Sequence, residues 1–475
     1  MMRKSSGKSF KKRGKLKLVS LFLNDIAKKI KGTILQGSES LAFHKFNIDS
    51  RSTEPGELFF ALTAKRNGHD FVPSAVKRGA SGAVISHQTA LADKDIALIQ
   101  VKDTLKALQE LARKVLQEYS VKVIGITGSI GKTTTKEFTS CLLSQDFKVL
   151  KSEGNLNNHL GVPLSLLKLE DDHDVAVLEM AMSSLGEISS LTRIAPPDIA
   201  VITNINPVHL QFFKNIEEIA LAKKEILNGA KKNGTAVLNG DDALVRKIAN
   251  DWKGKTLLFG LSEECDVRAQ NIRKNGWEGV VFELVYGKKQ EEVCLPFFYE
   301  SALYNFLASA AVGYALSVPL DSLRAEVKDL KPLPMRGVHL RLRQNIHLID
   351  DSYNSNPAAL ESALKSLVEL PAQRRIAVLG DMLELGKREA EFHTEAGKQI
   401  AQSGWDILVA VGPLGLHMVE GALAAGMREE QTFHFENSTA AAGEIRSLIQ
   451  EGDLILVKGS RGMMMEKVVE QLKKE

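Results

Sequence analysis

The sequence is poor in cysteine and aromatic residues, and it has no long hydrophobic run. Its 475 residues include 3 cysteines, and aromatic residues make up 6% of the chain. Cys141, Cys265 and Cys294 are far apart and lack the spacing of metal ligands. We therefore expect buried, reduced thiols and no disulfide framework. No segment approaches the roughly 18 consecutive apolar residues that span a bilayer, so we expect a soluble, cytoplasmic protein without membrane insertion.

Positive charge is concentrated at the start of the chain. The net charge is +4, yet residues 1–17 contain eight lysines and arginines and no acidic residue, so the remainder is slightly acidic. Such a segment could bind nucleic acid or a membrane surface. However, its only aromatic residue is Phe10, and it lacks the apolar core of a signal peptide. We predict a disordered, solvated tail over residues 1–17 and no nucleic-acid partner.

The length of the chain predicts about three domains. Short apolar runs typical of buried strands alternate with helical patterns, which indicates doubly wound α/β domains with mostly parallel sheets. These runs are 121–126, 175–178, 199–202, 235–238, 347–349, 376–379, 407–410 and 454–457. Residues 256–296 predict a small β insertion, and Pro332 and Pro334 predict a linker. The predicted domains are 18–102, 103–333 and 334–475.

A phosphate-binding loop is the strongest local signal. Residues 125–134 read Gly-Ile-Thr-Gly-Ser-Ile-Gly-Lys-Thr-Thr and lie between a predicted strand and a predicted helix. Glycines let backbone amides turn toward phosphate oxygens, and the helix N-terminus adds positive potential. Lys132 would neutralise the β- and γ-phosphates, and the Thr133 hydroxyl would bind magnesium. The first glycine, Gly125, lies one residue earlier than the common pattern places it, since position 126 is Ile126. The sequence therefore predicts binding of a nucleoside triphosphate.

Three further side chains could complete a phosphoryl-transfer site. Glu179 follows an apolar strand pattern, where an acid could hold magnesium or simply lie at the surface. His209 follows another strand pattern and could bind a second cation, although a loop histidine is usually polar surface. Lys223 lies among helix-forming residues, a pattern more typical of a solvated helix face.

Several ordered motifs resemble the Mur ligase family over residues 18–471, and within it the branch that adds a dipeptide. In the central part the matching segments are 127–137, 154–164, 186–188 and 200–205. In the last part they are 349–357, 379–386 and 457–463, and at the front 49–51 and 68–71. The resemblance implies three α/β domains: an N-terminal UDP-binding domain, a central P-loop ATPase domain with a parallel sheet, and a C-terminal Rossmann-like domain.

The resemblance also implies residue roles. It implies an ATP site formed by Gly128, Ser129, Gly131, Lys132, Thr133, Thr134, Asn305, Arg336 and Asp351. It implies catalytic roles for Lys132, Glu179, His209 and Lys223. Thr133 and Glu179 would hold one Mg2+, His209 a second, and Lys223 would serve as a metal ligand once carbamylated. Substrate contacts are implied for Ser50, Arg51, Asn67, Gly68, His69, Asn155, Asn158, Asn354, Asn356, Ser460 and Arg461.

The activity implied by the resemblance is an ADP-forming ligation in cell-wall synthesis. ATP would convert the terminal carboxylate of UDP-N-acetylmuramoyl-tripeptide into an acyl phosphate, which the amine of D-alanyl-D-alanine would then attack. Domain closure would bring the reactants together and exclude water. We expect a monomer that uses ATP and Mg2+ with these two substrates.

Four positions depart from the family pattern. Ala181 stands where glycine is usual, Ser183 and Ser184 replace an Asn-His pair, and Gln211 replaces a glutamate. The alternatives are a Mur ligase that adds another amino acid, a folylpolyglutamate-type synthetase, a P-loop NTPase without ligase activity, or a binding protein that retained the fold. The motifs at 155–164 and 350–357 argue against the first two alternatives. A P-loop NTPase without ligase activity would not need a uridine-nucleotide domain. The binding protein is disfavoured because five residues are retained together, namely Lys132, Thr133, Glu179, His209 and Lys223.

Overall fold

The fold was obtained as a computed structural model, which describes residues 21–63, 65–87, 96–208 and 210–474. The predicted basic tail, residues 1–17, lies outside the described residues. The chain forms two compact units. One contains the chain up to Ser120 together with Pro163–His173, and the other contains Val121–Val162 and the chain from Asp174 onward. Among the described residues, no helix is long and apolar enough to cross a membrane.

The first unit is built on a five-stranded sheet of order β2-β7-β6-β5-β4, in which only β2 is antiparallel to its neighbour. Its elements are β1 (Leu21–Phe22), α1 (Leu23–Ile30), β2 (Thr33–Gln36), β3 (Ala42–Phe43), β4 (Phe46–Asn47), β5 (Leu58–Phe60), α2 (Val72–Lys77), β6 (Gly82–Ile85), β7 (Ala97–Gln100) and α3 (Thr104–Glu118). The Asp103 side chain accepts a hydrogen bond from Lys106 N and so caps α3. The first unit thus includes α3, which the sequence prediction placed in the central domain.

The second unit begins with a nine-stranded sheet. Its elements are β8 (Lys122–Thr127), α4 (Lys132–Leu143), β9 (Val149–Lys151), α5 (Gly161–Leu166), β10 (Val175–Glu179), α6 (Glu187–Ile194), β11 (Ile199–Ile202), α7 (Ile216–Asn228), β12 (Thr235–Asn239), α8 (Ala243–Ile248), β13 (Lys255–Gly260), β14 (Val267–Lys274), β15 (Val280–Tyr286), β16 (Lys289–Leu295), α9 (Glu300–Ala315) and α10 (Leu320–Val327). Helix α5 ends within the Pro163–His173 segment of the first unit.

The strand order of this sheet is β16-β15-β14-β13-β12-β11-β8-β10-β9. Strands β8 to β14 pair in parallel, while β14, β15 and β16 form an antiparallel extension that corresponds to the predicted β insertion. Strands β8, β10 and β11 are almost entirely buried, as expected for parallel strands covered by helices on both faces. From β8 the chain passes to β9 and β10, which lie on one side of β8, and then crosses to β11 on the other side. The carboxyl ends of these three strands therefore form the crevice where ligands bind in such sheets.

A six-stranded sheet completes the second unit, with the order β17-β18-β22-β19-β20-β21. Its elements are β17 (Val338–Arg341), β18 (His347–Asp351), α11 (Pro357–Leu367), β19 (Arg374–Gly380), α12 (Glu389–Gln402), β20 (Ile407–Val411), α13 (Gly415–Ala424), β21 (Thr432–Phe435), α14 (Ser438–Leu448), β22 (Asp453–Lys458) and α15 (Glu466–Lys473). Only β17 is antiparallel, and two hydrophobic clusters cover the two faces. The predicted α/β class is confirmed by these three large sheets, beside which β1 and β3 form a small antiparallel pair in the first unit.

An aromatic stack joins the antiparallel extension of the nine-stranded sheet to the six-stranded sheet. Trp277, between β14 and β15, stacks on His339 and His347 with ring centroids 4.2 and 4.1 Å apart. His339 Nε2 and His347 Nδ1 are 2.9 Å apart and share a hydrogen bond. Burial lowers the pKa of His339 to about 4, and burial also lowers the pKa of His347. Both imidazoles are therefore neutral at pH 7.

We predict that this stack makes the stability of the protein depend on pH in the acidic range. An unfolded histidine takes up its proton near pH 6.5, whereas folded His339 does so only near pH 4. The difference between folded and unfolded His339 therefore does not lower the free energy of unfolding above about pH 6.5. Below that pH the free energy of unfolding decreases as the pH falls toward 4. Melting temperatures measured from pH 7.5 to 4.5 should fall less steeply for His339→Gln than for the unchanged protein. His417→Gln, at an exposed histidine on α13, is the control; parallel curves for all three proteins would contradict the prediction.

Candidate functional site

The loop between β8 and α4 has the backbone that a phosphate-binding loop needs. Gly128 and Gly131 have φ values of +151° and +84°. A Cβ atom at Gly128 would collide with the Thr203 side chain, and one at Gly131 would collide with Asn305 Oδ1. Glycine is therefore required at both positions by conformation and by space. The loop ends at the N-terminus of α4, whose amides and dipole favour an anion.

The loop following β11 holds the phosphate loop in place. Ser129 N donates to Asn204 O at 3.0 Å, and Ile130 N donates to Asn204 Oδ1 at 2.9 Å. The Ser129 hydroxyl donates to Asn206 O and accepts from Asn206 N. These contacts fix the backbone of the phosphate loop to the end of the neighbouring strand.

The Lys132 ammonium lies over the phosphate loop. Its Nζ donates to Gly128 O at 2.9 Å and to Ser129 O at 3.1 Å. Burial lowers the pKa of Lys132, while the carboxylate of Glu179 raises it. A triphosphate in this loop would offer the ammonium a stronger partner than these neutral carbonyls.

Glu179, the last residue of β10, is 2% exposed. Its Oε1 accepts a hydrogen bond from Asn157 Nδ2 at 2.9 Å, and its backbone N donates to Ser152 Oγ at 3.1 Å. Its Oε2 is buried and has no hydrogen-bond partner among the residues that the structure describes. Thr133 and Glu179 line one cavity. A hydroxyl and a carboxylate oxygen that is buried without a partner suit magnesium, which prefers oxygen ligands.

Lys136 is a functional candidate that sequence reasoning missed. Its side chain is fully buried one turn beyond Lys132 in α4, and its Nζ donates to Ser152 O at 2.6 Å and to Gly154 O at 3.2 Å. The Ser152 segment in turn bonds to the end of β10. The ammonium therefore connects the phosphate-binding helix to the loop that carries Asn155 and Asn157. A lysine in the motif is visible in the sequence, but its burial is not.

Lys223 is buried in α7 with an exposure of 2%, which excludes the solvated helix face weighed above. Burial lowers the pKa of its ammonium strongly, and the positive charge of Lys132 lowers it further. The neighbouring Lys224 instead forms an ion pair with Asp251 at 2.7 Å near the surface. A lowered pKa favours the neutral amine of Lys223, which is the form of a lysine that reacts with carbon dioxide. His209, the predicted second metal ligand, lies outside the described residues.

A cavity of about 890 Å3 contains the phosphate loop and extends to the third domain. The predicted ATP residues that line it are Ser129, Gly131, Lys132, Thr133, Thr134, Asn305, Arg336 and Asp351. Asn305 Oδ1 accepts a hydrogen bond from Thr135 Oγ1 at 3.2 Å, and the neighbouring Tyr304 hydroxyl donates to Asp241 Oδ2 at 2.9 Å. A volume of this size is in the range of small-ligand sites.

The third domain supplies one wall of this cavity. Arg336 Nη2 donates to Thr133 Oγ1 at 3.4 Å, and its guanidinium lies 4.0 Å from the centre of the Tyr353 ring. Asp351 accepts a hydrogen bond from Lys458, a residue that sequence reasoning did not assign. The structure therefore places Arg336 beside Thr133 and Asp351 in the same cavity.

The predicted dipeptide residues occupy two kinds of position. Asn354 and Asn356 line the cavity, and the Asn356 side chain also caps α11 through Ala359 N. Ser460 is buried and accepts a hydrogen bond from Leu383 N, whereas Arg461 is exposed and forms an ion pair with Glu466 at 2.8 Å. Only the asparagines face the cavity, so Ser460 supports the backbone here and Arg461 lies at the surface.

The loop following β9 carries two predicted substrate residues. Asn155 is exposed and lines the cavity. The Asn158 side chain accepts hydrogen bonds from Leu160 N and Gly161 N at 3.0 Å each. The Asn158 side chain therefore caps the start of α5, while the Asn155 side chain remains accessible to a ligand.

In the first unit, the predicted uridine-nucleotide residues form two turns. Arg51 pairs with Asp49 at 2.7 Å, and that guanidinium lowers the pKa of Asp49 to about 2. His69 is 3% exposed; its Nδ1 donates to Asn67 Oδ1 and its Nε2 accepts from Ser86 N. Both ring nitrogens of His69 are thus satisfied within the protein, and it supports the turn through Asn67 and Gly68. The side chain of Ser50 is buried as well.

The comparisons with known proteins agree with this geometry. Family models match residues 42–115 (Mur ligase family, catalytic domain), 126–313 (Mur ligase middle domain) and 336–461 (Mur ligase, glutamate ligase domain). The UDP-N-acetylmuramoyl-tripeptide–D-alanyl-D-alanine ligase of Bacillus subtilis is 34% identical over 458 residues, which cover 96% of this chain and 99% of that protein.

Solved structures of the same kind of enzyme superpose on the fold. A crystal structure of MurF from Acinetobacter baumannii has a TM-score of 0.88 and 30% identity, covering 96% of this chain and all of that one. MurF ligase from Thermotoga maritima in complex with ADP has a TM-score of 0.80 and 31% identity, covering 91% of this chain and 97% of that one.

The geometry around Glu179 generates a prediction about metal binding. Asn157→Ala removes the hydrogen bond that fixes Oε1, so the carboxylate should no longer be held with Oε2 turned toward the cavity. We expect Mn2+ to bind about tenfold more weakly in the presence of ADP, a loss typical of removing a partner of a metal ligand. Electron paramagnetic resonance of free Mn2+ measures this directly. Asn158→Ala, on the same loop, is the control, and equal affinities for all three proteins would contradict the prediction.

Proposed function

This chain belongs to the Mur ligase family, and we propose that it is the ATP-dependent ligase that adds D-alanyl-D-alanine to UDP-N-acetylmuramoyl-tripeptide. The product would be the UDP-muramoyl-pentapeptide used in peptidoglycan synthesis, with ADP and phosphate released. The observation that carries this proposal is the single cavity in which Lys132, Glu179 and Arg336 meet. It combines a phosphate loop, a carboxylate suited to magnesium and a cation from the third domain.

Similarity over nearly the whole chain supports the substrate assignment. The B. subtilis relative that covers 96% of this chain bears the name of the dipeptide-adding enzyme. A P-loop NTPase without ligase activity would have no use for the first unit or for the third domain. The alternative Mur ligases that add a single amino acid share the fold, so the identity of the nucleophile needs the experiment described below.

The residues of the cavity suit acyl-phosphate chemistry. A carboxylate is a poor electrophile until its oxygen attacks the γ-phosphorus of ATP, which breaks the bond to ADP and forms an acyl phosphate. The amine of the dipeptide then attacks the carbonyl carbon and phosphate leaves. Lys132 would stabilise the negative charge that develops on the phosphoryl oxygens. Magnesium held by Thr133 and Glu179 would supply further positive charge at these oxygens.

The remaining residue assignments are part of the same proposal. Asn305, Arg336 and Asp351 would hold the nucleoside, and Ser50, Arg51 and the Asn67–His69 turn would form the uridine-nucleotide site. Asn155, Asn354 and Asn356 would contact the peptide, and Arg461 would attract the distal carboxylate of the dipeptide. His209 and carbamylated Lys223 would hold a second Mg2+. We also propose a cytoplasmic monomer.

The proposal predicts that the purified protein forms UDP-muramoyl-pentapeptide from tripeptide, ATP and D-alanyl-D-alanine, as measured by mass spectrometry and ADP release. Lys132→Ala should lower turnover by about a hundredfold or more, since one oxyanion-stabilising group has that effect. Lys122→Ala, at an exposed lysine of β8, should leave turnover unchanged. Addition of a single amino acid to a shorter UDP-muramoyl peptide, without reaction on the tripeptide, would refute the assignment.

The burial of Lys223 predicts a dependence on carbon dioxide. Lys223→Ala should be nearly inactive, and acetate or another small carboxylate should partly restore activity by replacing the carbamate. Lys224→Ala is the matched control, because Lys224 pairs with Asp251 outside the cavity, and it should remain active. Activity of Lys223→Ala without added carboxylate would contradict the role of a carbamate.

A further inference from the structure

Lys458 is a buried charge that lies in the matching segment 457–463 but has no role in the proposed mechanism. It is the last residue of β22, and its side chain is 4% exposed. Its Nζ donates to Asp351 Oδ2 at 2.6 Å and to Asn354 O at 3.1 Å. All three residues line the cavity that contains the phosphate loop. An ammonium so placed is fixed by its partners and is not a solvated surface lysine.

The pairing follows from the sheet. Strands β18 and β22 are parallel neighbours, and Asp351 is in register with Lys458. The carboxyl ends of parallel strands lie at the same edge, so both side chains reach the cavity from adjacent strands. Because the backbone register fixes both residues, the ion pair has a defined geometry that two flexible surface side chains would lack.

Asp351 is surrounded by groups with opposing effects on its charge. Burial raises the pKa of its carboxyl group, Lys458 and Arg336 lower it, and Asp350 raises it. Burial raises the pKa of the Tyr299 phenol, and the negative charges of Asp351 and Asp350 raise it further. Without Lys458, Arg336 would be the only cation among these groups to oppose burial and Asp350. Burial would then favour the protonated carboxylic acid.

The same strand end also supports the loop that follows Asp351. Besides the bond from Lys458 to Asn354 O, the Ser460 hydroxyl lies 3.4 Å from Ser355 O and accepts a bond from Leu383 N. Lys458 therefore orients both the carboxylate and the backbone of the turn that follows it.

We propose that Lys458 is a positioning residue for the nucleotide: it holds the Asp351 carboxylate ionised and directed into the cavity, so that it can accept hydrogen bonds from the ribose hydroxyls of ATP. This inference rests on the nucleotide site of the proposed function but not on the dipeptide. An ionised carboxylate accepts two hydroxyl hydrogen bonds, whereas a carboxylic acid has lost acceptor capacity. The lysine itself does not touch the nucleotide in this role.

The test measures ADP binding to the full chain by calorimetry, in magnesium chloride, between pH 6 and 9. Lys458→Met should weaken ADP binding by about tenfold near neutral pH, the effect of losing a charged hydrogen bond. Relative to the unchanged protein, its affinity should recover as the pH rises, because the Asp351 carboxyl then ionises without the lysine. Lys458→Arg should restore most of the affinity at every pH.

A second pair of variants covers the case in which Lys458→Met does not fold. Asp351→Asn should weaken ADP binding to a similar extent with no added dependence on pH. Asp351→Asn combined with Lys458→Met removes both charges and should bind ADP as Asp351→Asn does, because the lysine acts through the carboxylate. A further loss in the double variant would overturn the proposal, as would a pH-independent loss in Lys458→Met.

Kinetics separate this inference from the proposed function. In Lys458→Met the KM for ATP should rise, while the KM for D-alanyl-D-alanine should stay unchanged. A rise in the KM for the dipeptide alone would assign Lys458 to the other substrate and refute the positioning role. If the unchanged protein does not ligate the dipeptide at all, the proposed function fails, yet the ADP measurements still decide the role of Lys458.

Discussion

Repulsion among the cations beside the phosphate loop is the constraint on which the rest of the site depends. Lys132 and Arg336 lie in the same cavity, and the charge of Lys132 reaches Lys223 strongly enough to lower its pKa. Glu179 is the carboxylate that opposes Lys132. Charges in such surroundings repel each other far more than in water. A polyanion such as a triphosphate would relieve this repulsion, so the surroundings of the phosphate loop favour an anionic ligand.

The sequence predicted those parts of the architecture that depend on residues close together in the chain. The phosphate loop needs glycines and a lysine at fixed spacing, and the buried strands read as apolar runs, so both were visible in the sequence. Lys458, Lys136 and Asn157 were not, because their importance comes from partners that are distant along the chain. The same holds for His69: the resemblance of residues 68–71 implied a substrate contact, whereas the hydrogen bonds of both ring nitrogens to Asn67 and Ser86 are visible only in the structure.

Three of the four positions that depart from the family pattern, Ala181, Ser183 and Gln211, donate hydrogen bonds from their backbone N–H groups. Ala181 N donates to Asn157 O, and Gln211 N donates to Glu384 O in the third domain. Ser183 N and Ser184 Oγ both donate to Glu187 at the start of α6. Backbone contacts of this kind tolerate a change of side chain, which explains how the loops keep their positions with different residues.

The stack of Trp277 on the paired histidines affects the relative position of the nine-stranded and six-stranded sheets. Through this stack, the antiparallel extension of the nine-stranded sheet packs against β17 and β18 of the six-stranded sheet. Any arrangement in which the third domain swings away must expose this aromatic surface to water, at a cost independent of ATP. The stack therefore stabilises the joined arrangement independently of nucleotide. A ligand that favours this arrangement would need a correspondingly smaller shift in population, and that part of its affinity would remain available for binding.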